Sequence, residues 1–217
     1  MMLSQYIAHD LEHQLTQIAE HGFCVMDNFI TQATVLALAN EISSLDSASQ
    51  MHEAGTGQTQ ITINKQLRGD SIYWLNEANS SVAQKIYLAQ MELLRIALNQ
   101  HLYLGLFALE SHLALYQAGT GYGKHLDQFH KNNTRSSDQA VRKISCILYL
   151  NQNWTEANGG YLRLYHNQAS ETTDAPYVDI APLGGRLVLF LSDTFYHEVL
   201  LTNKARASLT GWFLTRQ

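Results

Sequence analysis

The chain has 217 residues, 46% of them hydrophobic, enough to bury the core of one substantial domain and too apolar for intrinsic disorder. Fourteen basic against nineteen acidic residues give a net charge of -5, which argues against a nucleic-acid partner held through the bulk field. Cys24 and Cys146 are the only cysteines and lie far apart, so neither a disulfide framework nor a cysteine zinc site is indicated, and both read as buried thiols.

The opening MMLSQYIAHDLEHQL has no basic region followed by an apolar run, and apolar runs such as LVLFL at 187–191 are strand-sized. A cytoplasmic protein with no membrane partner is expected. Leu3, Ile7, Leu11, Leu15 and Ile18 recur at three-four spacing and predict a first helix that stops at Gly22. His9 and His13 lie one turn apart on it, but beside Asp10 and Glu12 they read as a solvated face. GFCVMDNFI reads as a strand. Thr31 is placed to cap a second helix carrying Val35, Leu38, Ile42 and Leu45, and SASQMHEAGTGQTQ after it reads as a mobile loop.

In QLRGDSIYWL, Ile72 and Trp74 share one parity of a short strand, with Arg68 and Asp70 before it. A third helix is predicted from about Ser81 to Gln100, with Val82, Ile86, Ala89, Leu93 and Ile96 as its apolar face. The remainder reads as strands: FALESHLALYQ, HLD, VRKISCILYLN, YLRLYH, YVDI, RLVLFL, HEVLL and RASLTGWFL. Helices first and strands afterwards predict an α+β chain whose strands close into a jelly-roll. We expect one domain over 1–217, with helical support and a loop in about 1–105 and the jelly-roll in about 106–217.

The chemistry centres on YQAGTGYGKHLD. His125 and Asp127, two apart on extended chain, point to one face and can grip one ion together. Ten histidines and nine aspartates would give about 0.4 such triplets by chance, so the triplet needs support. His197 in FYHEVLL offers a second imidazole, and Arg206 in RASLTGW a planar fork for a carboxylate. Ser208, Thr210 and Trp212 share the parity of Arg206 and can line one wall of a pocket. Lys204 competes with Arg206 for the same anchoring role.

These segments resemble the Fe(II)- and 2-oxoglutarate-dependent dioxygenases, and within them the prolyl 4-hydroxylases, whose arginine follows the distal histidine by nine positions, as Arg206 follows His197. GFCVMDNFI, LRGDSIYWL, GTGYGKHLD, ILYLNQNW, GGYLRLY, FLSD, HEV and RASLTGWF fall in the order of the animal oxygen-sensing prolyl hydroxylases and of bacterial relatives that modify elongation factor Tu. The resemblance implies a double-stranded β-helix, iron ligands His125, Asp127 and His197, and Arg206 with Tyr149 on the distal carboxylate of 2-oxoglutarate. Tyr116 then faces the pocket, with Thr210 and Trp212 close by; for the tyrosines plain packing is the other reading.

The same resemblance implies oxidative decarboxylation of 2-oxoglutarate by O2 coupled to C–H hydroxylation, with ascorbate as a supporting reductant. Arg68, Asp70, Trp74 and Arg142 are expected on the substrate side, with Arg142 paired to Asp70 or else in an ordinary surface ion pair. A prolyl loop of a protein is the implied target, elongation factor Tu the leading candidate, and a monomer the default. QFHKNNTRSSDQAVRK is longer than in the animal family and YQAGTGYGKH one residue shorter, which bears on substrate choice. Lys124, Lys131, Arg135, Arg142 and Lys143 cluster here and form either a positive rim or a solvated loop. Two other functions stay open: hydroxylation of a free amino acid or small molecule, and a non-catalytic metal and 2-oxoglutarate sensor. A halogenase is disfavoured because Asp127 is present where that chemistry needs a small residue.

Overall fold

The computed structural model describes residues 5–55, 68–128, 140–166 and 175–216, with the backbone alone for 5–10. Three α-helices pack on one face of a seven-stranded antiparallel sheet, and a four-stranded sheet covers the other face. The helices are α1 (Gln5–His21), α2 (Gln32–Ser47) and α3 (Val82–Leu102). The large sheet runs β1 (Phe23–Met26), β9 (Leu187–Leu191), β6 (Ala140–Tyr149), β11 (Arg206–Arg216), β4 (Leu106–Tyr116), β3 (Asp70–Trp74) and β2 (His52–Glu53). The small sheet runs β5 (Tyr122–His125), β10 (His197–Val199), β7 (Leu162–Tyr165) and β8 (Tyr177–Ile180). This is the expected jelly-roll, with the helices segregated to one face of an antiparallel core.

Alternation decides which residues face which layer. Leu113, Leu115, Ile144, Cys146, Leu148, Leu209 and Phe213 pack with Leu15, Val35, Leu38, Tyr87 and Leu98 of the helices. Their neighbours of opposite parity, Ala114 and Tyr116 on β4 and Ile147 and Tyr149 on β6, face the small sheet. The division expected near residue 105 runs through one sheet, since β1, β2 and β3 of the first half are strands of it. Cys24 and Cys146 are buried free thiols on either side of Leu189, and burial pushes the Cys24 thiol up to about 12.

Thr31 and Ser81 cap α2 and α3 by accepting from the Thr34 and Gln84 amides at 3.3 and 3.1 Å. The buried face of α3 is not the predicted one. Ala83, Tyr87, Met91, Leu94 and Leu98 are buried, whereas Val82 is 78% exposed and Ile86, Leu93 and Ile96 lie at the surface. Both stripes have helical spacing, so periodicity alone cannot choose between them. The buried stripe brings the Tyr87 hydroxyl to Ser111 Oγ at 3.2 Å, a partner from β4 that only the assembled sheet supplies. Leu3, the side chain of Ile7 and residues 56–67, with the end of the expected loop, lie outside the described residues. Among the described residues no helix is long and apolar enough to cross a membrane.

Candidate active site

β5 and β10 are antiparallel neighbours with His125 opposite His197, which brings the two imidazoles to 4.1 Å between ring centroids. β5 ends at His125, so Asp127 lies just beyond the strand, not within an extended triplet as predicted. Its carboxylate nevertheless turns back: Oδ1 is 3.7 Å from His125 Nε2 and Oδ2 3.6 Å from His197 Nε2. One ligand atom from each of the three residues lies within 4.8 Å of the others.

The backbone fixes which nitrogen each imidazole presents. His125 Nδ1 donates to the Gly123 carbonyl at 2.8 Å and His197 Nδ1 to the Phe195 carbonyl at 3.1 Å, which leaves both Nε2 lone pairs facing Asp127. Ser145 Oγ donates to Asp127 Oδ2 at 2.6 Å and is itself 2.9 Å from Ser192 Oγ. Burial pushes the Asp127 carboxyl up, but His197, His125 and Ser145 outweigh it and hold the group below the usual carboxylate range. Burial, aided by His125, pushes His197 down to about 4. A neutral imidazole beside an ionised carboxylate is the donor state a divalent transition metal requires, and two histidines with one carboxylate suit Fe(II) with coordination positions left open.

Arg206 opens β11 opposite Tyr116 and is 1% exposed. Its guanidinium carbon lies 5.1 Å from the centroid of the Tyr116 ring and 5.0 Å from that of Tyr149, and Nε donates to the Gly160 carbonyl at 2.9 Å. Gly160 has φ +66, and a Cβ there would come within 3.1 Å of Arg206 Cδ, so glycine lets the backbone approach. Arg206 Nη2 and Tyr149 Oη are buried without partners, and burial pushes the Tyr149 phenol up so that it keeps its proton. Two buried, unpartnered donors side by side fit a carboxylate, such as the distal one of 2-oxoglutarate. Lys204, the competing anchor, is exposed, with Nζ 3.5 Å from the Gln152 carbonyl.

Ser208 and Thr210 continue the wall from Arg206, their hydroxyls 3.3 Å apart. Trp212 stands opposite Ser145 in the register, at the triad end, and its buried Nε1 has no partner. Trp74, 48% exposed, lies at the rim and contacts Trp212 through His112, with ring centroids 4.8 and 5.5 Å from that imidazole.

Of the two readings for Arg142, the pair with Asp70 is not formed and the ordinary ion pair is. Asp70 takes a bidentate pair from Arg68, at 2.7 and 3.0 Å, and Arg142 pairs with Glu110 at 2.7 Å while covering the Trp212 ring at 3.5 Å. The register explains it: Asp70 is opposite Tyr116, six residues or about 20 Å along β4 from Glu110. Of the two readings of the basic cluster, a free positive rim is not formed by its described residues. Lys124 lies over Tyr165 at 3.9 Å and Lys143 is 3.6 Å from Asp193, while Lys131 and Arg135 fall outside the described residues.

Sequence reasoning missed Tyr122 and His112. Tyr122 stacks on His125 with centroids 3.7 Å apart, and Arg68 lies 4.8 Å from its ring, so the Arg68–Asp70 pair reaches a ligand histidine through one aromatic ring. The tyrosine was visible in GTGYGKH, but spacing carried no sign that it stacks. His112 sits in FALESHLALY, where alternation assigns it a face without a role.

A jelly-roll carrying two histidines and one carboxylate, with a buried arginine behind them, defines the 2-oxoglutarate- and iron-dependent oxygenases as a class, and residues 111–214 match the model of the 2OG-Fe(II) oxygenase superfamily. A solved Pseudomonas putida prolyl-4-hydroxylase is 36% identical, with a TM-score of 0.80 over 95% of this chain and 100% of that one. The chain belongs to the prolyl hydroxylase family of that superfamily. Human Egl nine homolog 1 is 26% identical over 94% of the chain, which spans 46% of that protein's length, and the other first relatives are likewise only about half spanned. A Trichoplax adhaerens prolyl hydroxylase, solved with a hypoxia inducible factor peptide, shares the fold: TM-score 0.78 and 23% identity over 97% of this chain and 93% of that one.

Proposed function

We propose that the chain is an Fe(II)- and 2-oxoglutarate-dependent dioxygenase that hydroxylates a prolyl residue, at C4, in an exposed loop of a protein. The observation that carries the oxygenase reading is the pair of buried, unpartnered donors, Arg206 Nη2 and Tyr149 Oη, behind a histidine and carboxylate set whose lone pairs converge. What favours proline is the 36% identity to the Pseudomonas putida prolyl-4-hydroxylase over the whole of that chain. Elongation factor Tu is the candidate target, on the resemblance to bacterial enzymes that modify it.

His125, Asp127 and His197 hold the metal. Bound iron and 2-oxoglutarate supply the oxidising power: O2 and 2-oxoglutarate are consumed, one oxygen atom enters the target C–H bond, and succinate and carbon dioxide leave. The protein's own residues bind and orient. Arg206 and Tyr149 clamp the distal carboxylate of the cosubstrate in a dry pocket, where charge-assisted hydrogen bonds are about twice as strong as neutral ones. The Phe195 and Gly123 carbonyls and Ser145 keep the ligands aimed, and Trp212 with Trp74 walls the approach of the target.

Incubation with elongation factor Tu and other candidate proteins, with iron, ascorbate and 2-oxoglutarate, followed by peptide mass spectrometry, tests this. The expected result is one oxygen added to a proline, with succinate released in equal amount. Oxygen found only on lysine or asparagine, or succinate release with free proline but no prolyl peptide, would sink the protein-prolyl reading.

A further inference from the structure

His112 is 1% exposed, and neither ring nitrogen has a hydrogen-bond partner. A buried polar group in that condition is destabilising, so it marks a place where a further partner would complete the bonding. Its parity on β4, the same as Ala114 and Tyr116, turns it toward the space between the sheets. Trp74 and Trp212 hold the ring, and Trp212 Nε1 is a second buried donor without an acceptor. Burial pushes His112 down to about 3, with Arg68 and Arg142 acting in the same direction, so the ring is neutral and presents one donor and one acceptor.

The position separates this cluster from the cosubstrate anchor. His112 is four residues, or about 13 Å, along β4 from Tyr116, the register partner of Arg206. Trp212 is opposite Ser145, whose hydroxyl holds Asp127, so the cluster lies at the triad end of the wall, with the half-exposed Trp74 leading to solvent. Aromatic walls disfavour a charged occupant, because burying an unpaired charge costs far more than burying a neutral dipole. Two donors and one acceptor on apolar walls call for a flat, neutral group that offers at least an acceptor. An amide, whose carbonyl accepts, has that chemistry.

We propose, resting on the prolyl reading above, that His112 is a specificity-determining residue that hydrogen-bonds an amide carbonyl of the target segment beside Trp74 and Trp212. The ring holds the segment in register, and it takes no part in holding the metal or 2-oxoglutarate. Substrates without a carbonyl at that point leave both donors unpaired and bind worse, which is how a buried donor rejects a ligand that lacks the matching group.

The test uses a peptide of about ten residues around the proline oxygenated by wild-type enzyme, bound under nitrogen to protein loaded with Mn(II) and 2-oxoglutarate, and read by tryptophan fluorescence without turnover. His112→Leu is expected to weaken peptide binding about tenfold and leave the Mn(II) and 2-oxoglutarate affinities within about twofold of wild type. His112→Gln, which keeps an N–H donor, is expected to recover most of the loss, and it serves if the leucine variant folds poorly. Unchanged peptide affinity in both variants, or a loss in 2-oxoglutarate affinity in place of peptide affinity, overturns the inference. Failure of the prolyl reading is distinguishable, since it appears in the wild type as no oxygenated prolyl peptide, and the inference falls with it.

Discussion

At the triad, both imidazole Nδ1 atoms donate to backbone carbonyls and Asp127 Oδ2 accepts from Ser145, whereas along the wall from Arg206 to Trp212 four side chains keep buried polar atoms with no protein partner. The two regions face the same inter-sheet space and solve different problems. A metal ligand must be aimed before the metal arrives, since its affinity depends on outer-shell orientation. An organic ligand brings its own hydrogen-bonding atoms, so its site is left unsatisfied until it binds. The triad is therefore self-sufficient, and the wall is destabilised by about the cost of its unpaired groups until it is filled.

Breaking the self-sufficient region has the largest effect. Asp127→Ala is expected to lower turnover by at least about a thousandfold and abolish Mn(II) binding while the circular dichroism spectrum stays that of a folded sheet. Normal turnover in a metal-checked sample would remove Asp127 from the ligand set. Next comes the wall: Arg206→Leu is expected to raise the KM for 2-oxoglutarate about a hundredfold with metal affinity unchanged, measured by succinate release. Ser145→Ala is a test of outer-shell aiming, and should weaken Mn(II) binding about tenfold, the lower end of such effects.

Two smaller effects sharpen the contrast by their sign. Tyr149→Phe removes an unpaired buried hydroxyl, so without cosubstrate the variant should melt about 2–4 °C higher than wild type while binding 2-oxoglutarate more weakly. A lower Tm in the ligand-free variant would mean that the hydroxyl is already satisfied. For His112, the folded pKa of about 3 lies below the ordinary 6.5, so the unfolded chain takes up the proton first. Stability is then lost as the pH falls from about 6.5 toward 3, by up to about 1.4 kcal/mol per unit. Urea midpoints at pH 7 and 5 should converge in His112→Gln relative to wild type.

What the sequence revealed follows the same division. His125, Asp127, His197 and Arg206 were legible from the motif spacings and the chain order of the segments that resemble the family, although the triplet is not one extended strand, since β5 ends at His125. The partner of Arg142 was not, because between Phe213 and Leu214 the β11–β6 register shifts, and the choice of Glu110 over Asp70 depends on strand offsets that no local pattern records. The buried face of α3 was not, because two apolar stripes compete and the sheet decides. His112 was invisible as a candidate: one histidine in a strand acquires meaning only when its neighbours fail to bond it.

The two cysteines give the molecule an internal clock. Both sit in the core shared with the helices, on the far side of the sheet from the site, with Leu189 between them. A thiol held at about 12, as Cys24 is, is almost wholly protonated and inert at neutral pH, and labelling reagents reach it only when the sheet opens. Pulsed alkylation of the resting protein therefore counts opening events of the whole layer, with and without 2-oxoglutarate, and does so without a reporter in the chemistry itself.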